Sequence, residues 1–152
     1  LALVAIGKLD EAVTFVDAIR KAPELPPIVP PDPGEPAERR AKTKRFRSAV
    51  AESAAQCVIA AIAEARGDHA AAIEALRHAV GAEDQAPALG EPPAWPLSAR
   101  QRLGAVLLAA GQPGPAAEVY REDLRRHPHN GWALFGLATA LDTLHNPTAK
   151  PT

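Results

Sequence analysis

The stretch LGAVLLAAGQPGPAAEVYREDLRRHP, Leu103 to Pro128, decides the fold. An apolar segment runs to Gly111, a short polar turn follows, and a second periodic segment runs to Pro128. Glycine just past a helix end permits the left-handed conformation that stops the helix. Pro115 falls early in the next helix, where a missing amide donor costs nothing. Ala116 and Tyr120, four residues apart, share one helix face. A small residue beside a large one lets two antiparallel helices approach closely, so the stretch reads as a helical hairpin.

The same shape recurs upstream. ALVAIGKLDEAVTFVDAI (2–19) and AIAEARGDHAAAIEALRHAV (61–80) each carry a glycine, Gly7 and Gly67. Five residues later comes a small residue, Ala12 or Ala72, and four after that a larger one, Val16 or Leu76. Asp10 and Asp68 place acidic groups at the openings of the second helices, where the helix dipole favours them. Three hairpins in one register are a repeat.

This pattern resembles the tetratricopeptide repeat (TPR), a 34-residue helix-turn-helix. In a frame from Leu97 to Asn130, Leu103, Gly104, Leu107, Gly111, Ala116, Tyr120 and Pro128 stand at the family's characteristic positions. Asp123 departs, because the family prefers a small residue there. The unit around Gly67 matches through Ile59, Ala60, Ala72, Leu76 and Ala79. A fourth unit opens at Gly131, with Leu134, Leu137, Ala138 and Leu141 on its inner face, and Pro147 and Pro151 stop its second helix. EPPAWPLSARQRLGAVLLAAG and the segment from Glu118 to Leu141 are similar to the C-terminal end of large bacterial multi-repeat TPR proteins. With no initiator methionine before Leu1, the chain reads as a fragment of a longer protein or as a processed or trimmed one; the resemblance implies a bacterial protein, with cytoplasm and periplasm both open.

The expected fold is therefore all-α: stacked antiparallel helical hairpins, a TPR-like α-solenoid with a proline-rich linker. Residues 1–22 form a truncated first unit, 23–36 the linker, 37–146 the repeat domain, and 147–152 a disordered tail. Seven prolines lie between Pro23 and Pro36, which calls for extended backbone. From Ala37 to Arg66 the chain reads as one long helix, frayed before Phe46. A second proline-bearing loop, PALGEPPAWPL (87–97), holds Trp95.

Composition narrows the function. Alanine dominates the 47% apolar residues, aromatics are 4%, and methionine is absent, so helix layers should be thin and close. A net charge of −1 supplies no global field for nucleic acid or anionic lipid. Cys57 is the one cysteine, which rules out an intrachain disulfide. No unbroken run of about 18 apolar residues appears, so no membrane span is expected. Phosphate loops, dinucleotide-binding glycine patterns and zinc-ligand spacings are missing.

Four features bear on chemistry. His127 and His129, within RRHPHNGW, have a spacing two imidazole ligands can adopt but no third ligand nearby; Pro128 as breaker and Asn130 as N-cap make the better reading a helix joint. Cys57 has no predictable base and reads as a small buried residue. The run RRAKTKRFR, Arg39 to Arg47, has six basic residues in nine and suits phosphate or an acidic partner; nucleic acid is disfavoured beside a solvated helix start held by Glu35 and Glu38. The TPR frame places Cys57, Ala61, Ser98, Gln101, Ala105, Trp132, Phe135 and Thr139 toward a concave groove, with Ser98, Gln101, Trp132, Phe135 and Thr139 as the expected binding residues. The resemblance implies a non-catalytic module for a protein or peptide partner, without cofactor or metal; the incomplete end repeat offers a surface for self-association, and the alternatives are part of an enzyme or metal-binding protein using the His127/His129 turn, or a weak nucleic-acid surface at 39–47. The groove lysines and asparagines of chaperone-tail-binding TPRs are absent, with Arg102 alone at a matching position.

Overall fold

The computed structural model describes residues 2–5, 7–24, 32–86 and 98–146. They form seven α-helices: α1 Ala2–Ala5, α2 Leu9–Lys21, α3 Ala37–Ala65, α4 His69–Gln85, α5 Ala99–Ala109, α6 Pro113–Arg126 and α7 Gly131–His145. One 3-10 turn, Ala22–Glu24, follows α2, and no strand occurs among the described residues. The expected all-α class is what the chain adopts. From α1 to α7 each helix packs on the next, and α5 also touches α7. Links of three or four residues join α3 to α4, α5 to α6 and α6 to α7, so those packed neighbours run antiparallel.

The three repeat glycines account for the turns. Gly7, Gly67 and Gly111 have φ of 78°, 75° and 70°, and no other described residue has positive φ. At the end of α3 the amide of Asp68 bonds Ala63 O (2.9 Å) and that of Gly67 bonds Glu64 O (2.9 Å). At the end of α5, Gln112 bonds Leu107 O (2.8 Å) and Gly111 bonds Leu108 O (3.0 Å). Both are Schellman closures, which need a left-handed residue just past the helix. Helix starts follow the sequence too. Asp68 accepts from the Ala71 amide, and Ser98 from that of Gln101. Asn130 accepts from the amides of Trp132 and Ala133. α6 begins at Pro113, two residues before Pro115, so both prolines sit in its first turn.

The small-and-large pairs named from the sequence lie in the core. Ala12 and Val16, Ala72 and Leu76, and Ala116 and Tyr120 are all buried. They fall into two apolar clusters. The larger joins α3 through α7, and the smaller holds Ala12, Val16, Ala55, Val58 and Ile62. Ile59 of α3 packs against both. Each fully buried Leu or Val contributes about 1.5–3 kcal/mol, so thin alanine-rich layers depend on a few large side chains. Tyr120 is the largest buried in this way between α5 and α7. Gly104 and Gly136 lie against its ring, and a Cβ on either would overlap it.

α3 is helical from Ala37, with no break before Phe46. It also contains an 18-residue window of mean hydropathy 1.2, long and apolar enough by composition to cross a membrane. That was not expected from the run-length criterion. In the fold the same helix supplies both apolar clusters, which is how the central helix of a helical bundle reads. The expected linker (23–36) includes the turn after α2 and a second turn, in which the Gly34 amide bonds Asp32 Oδ1 (2.9 Å). Its middle, the Trp95 loop and the 147–152 tail lie outside the described residues.

Candidate functional site

The RRHPHNGW segment is a joint. α6 ends at Arg126, Asn130 caps α7, and Gly131 opens it. Beneath the joint lies Asp123, with no exposed surface. Its carboxylate accepts from Asn130 Nδ2 (2.8 Å) and Gln101 Nε2 (3.3 Å), and His127 Nδ1 lies 3.3 Å away. Burying a charge is expensive unless hydrogen bonds replace its water; here Gln101 of α5 and Asn130 of the joint supply them to a carboxylate carried by α6. Asp123, out of pattern in the repeat frame, therefore clamps three elements. The one buried side-chain polar atom left without a partner among the described residues is Gln101 Oε1. No group of three or more metal-ligating side chains converges among the described residues, and His129 is exposed.

Four of the six exposed large apolar side chains among the described residues lie on α7; the other two, Val13 and Phe15, lie on α2. Trp132 is 70% and Phe135 72% exposed, with Leu134 at 51% beside them. Trp132, Phe135 and Thr139 follow one another at spacings of three and four residues, hence on one helix side. The Thr139 hydroxyl donates to Phe135 O (3.0 Å), so its donor is used internally. The other two expected groove residues serve the start of α5: Ser98 caps it, and Gln101 turns to Asp123. Ala105 is exposed, Cys57 half-buried and Ala61 buried.

Between α3 and α5, Arg102 donates to Cys57 O (3.0 Å) and pairs with Glu64 (2.9 Å). Its charge is spent on holding two helices together. Burial pushes the Cys57 thiol up, nearby Glu83 adds to this, and Arg102 offsets it in part. That favours the protonated thiol over a nucleophilic thiolate. Glu83, near the end of α4, accepts from Ser53 Oγ (3.0 Å) and from the Ala99 amide (3.1 and 3.2 Å). Burial raises its carboxyl above the usual range, against the pull of the Ala99 amide and Ser53. Asp84 beside it binds Arg100 through two hydrogen bonds (3.1 and 2.7 Å) and Arg126 (2.9 Å). These carboxylates join α4 to α3, α5 and α6. Sequence reasoning missed them, because their partners lie at distant positions with no local pattern.

The basic run divides into two sets. Arg39 pairs with Glu35 (3.4 Å), Arg40 donates to the carbonyls of Glu35 and Pro33 (both 3.0 Å), and Arg47 to that of Ala22 (3.2 Å). Lys42, Lys44 and Arg45 have no carboxylate partner among the described residues. No family model, no curated protein and no solved structure matches the chain.

Proposed function

We propose that this chain is a TPR-like helical-repeat module, part of a larger bacterial protein, that binds a protein or peptide segment without catalysing a reaction. The carrying observation is the pair Trp132 and Phe135, which stand out in solvent on one side of α7. Large aromatics presented by a rigid helix make efficient anchors, because they bury much surface at little cost in conformational entropy. The glycine turns and the buried small-and-large pairs support the repeat reading. The step from such a fold to binding is an analogy between folds.

The test starts from peptides selected out of a random display library against the immobilised chain. Synthetic versions should bind the wild type, and Trp132→Ala or Phe135→Ala should weaken them about tenfold or more, the scale of an interface hot spot. Helicity by circular dichroism should be nearly unchanged. Binders indifferent to both substitutions, or a Trp132→Ala chain that unfolds, would overturn the assignment.

A further inference from the structure

The N-terminal half of α3 and the outer side of α4 enclose a trough that shares no residue with the α7 aromatic face. Its volume is about 900 Å³, and a second hollow of about 660 Å³ adjoins it, with Ala41, Arg45 and Gln85 common to both. Along α3 the combined trough runs from Glu38 to Glu52. At ~1.5 Å per helical residue that is about 21 Å, the length of roughly six residues of extended peptide.

The walls are cationic. Lys44 and Arg45 stand on the α3 side and Arg77 and His78 on the α4 side, with Lys42 in the adjoining hollow. Three acidic groups stand beside them: Glu38 lines the adjoining hollow, and Glu52 and Glu74 have partners. Glu52 is held by Arg20 (3.1 and 3.2 Å) and Gln56 (2.8 Å). Glu74 lies 3.9 Å from Arg77 and 3.3 Å from His78. The combined lining carries five basic residues, Arg39, Lys42, Lys44, Arg45 and Arg77, against three acidic ones, Glu38, Glu52 and Glu74, a surplus of two in a chain whose net charge is −1. The field there is positive and local while the rest of the chain is acidic, so it draws an anionic segment to this trough.

We infer that this α3–α4 trough binds an acidic stretch of polypeptide in extended form. Lys42, Lys44, Arg45 and Arg77 pair with its carboxylates, while Ser48 and Gln85 line the trough where its backbone amides would lie. A nucleic-acid strand fits less well. No aromatic side chain lines the trough to stack a base, which is how single strands are held without sequence preference. The inference does not depend on Trp132 or Phe135.

A fluorescein-labelled hexaglutamate peptide, read by fluorescence anisotropy against the full chain, tests it. At about 20 mM salt, where surface charges are weakly screened, binding should saturate, and it should weaken several-fold at about 150 mM. Lys44→Glu with Arg45→Glu should lower affinity at least tenfold, and Arg77→Glu, on the opposite wall, should lower it independently. These side chains are solvent-exposed, so helicity should hold in both variants, and Trp132→Ala should bind hexaglutamate like the wild type. The inference is overturned if no saturable binding appears at low salt, or if neither charge reversal weakens it. It is equally overturned if single-stranded DNA of equal charge binds more tightly and loses affinity in the same variants.

Discussion

Tyr120 shows how much an alanine-rich core leans on one side chain. Its ring is buried between two helices at the points where they carry glycine, and neither Gly104 nor Gly136 has room for a Cβ. Glycine in a helix interior costs about 1 kcal/mol relative to alanine, so on helix propensity alone Gly104→Ala or Gly136→Ala would stabilise. The overlap lies on a rigid ring pinned from both sides, and overpacking of that kind costs about 1–3 kcal/mol. The collision should win. Each substitution should lower thermal stability, and Tyr120→Leu should recover part of the loss in the Gly104→Ala background but destabilise the wild type. A double-mutant cycle by chemical denaturation measures this coupling, and additive effects would show that the ring does not set the approach of α5 and α7.

At the scale of elements, local signals were legible and long-range polar ones were not. A glycine turn or a cap is written within four or five residues, so Gly67, Gly111, Asp68 and Asn130 could be read directly. The direction of Gln101 could not, because its partner Asp123 lies 22 residues away. Nor could the role of Glu83, which takes the Ala99 amide 16 residues on and the Ser53 hydroxyl 30 residues back. Glu83 joins three helices through a carboxyl that burial raises. The folded chain thus holds that proton more tightly than the unfolded chain does. Its contribution to stability is fully present below the ordinary carboxylate range and is lost as pH rises through the raised value. Glu52 behaves oppositely, since Arg20 lowers it, but it is common to wild type and a Glu83→Gln variant and drops out of their difference. As pH rises from the ordinary carboxylate range through the raised Glu83 value, the wild type should lose stability relative to Glu83→Gln, as read by urea midpoints. A constant difference across that range would mean that Glu83 titrates alike in both states.

Among the described residues the helices pack mainly on their neighbours in sequence. Each helix meets those adjacent in sequence, and only α3 spans both apolar clusters. In such an array stability is close to a sum of local terms, and its ends can open without its middle. α2 is held by the smaller cluster and by Arg20 to Glu52, while α4 and α5 sit within the larger cluster with helices on either side. Amides of α2 should therefore exchange with solvent faster than those of α4 and α5, by about tenfold for each ~1.4 kcal/mol of local stability that separates them. Val16→Ala removes two buried carbons, worth roughly 1.6 kcal/mol at ~0.8 each. It should speed exchange in α2 about tenfold and leave α5 and α6 nearly unchanged. Hydrogen exchange read by mass spectrometry or NMR separates the cases. If Val16→Ala accelerates α5 and α6 as much as α2, the two clusters open as one unit and the linear description fails; if the change stays in α2, α3 is the seam at which one cluster opens without the other.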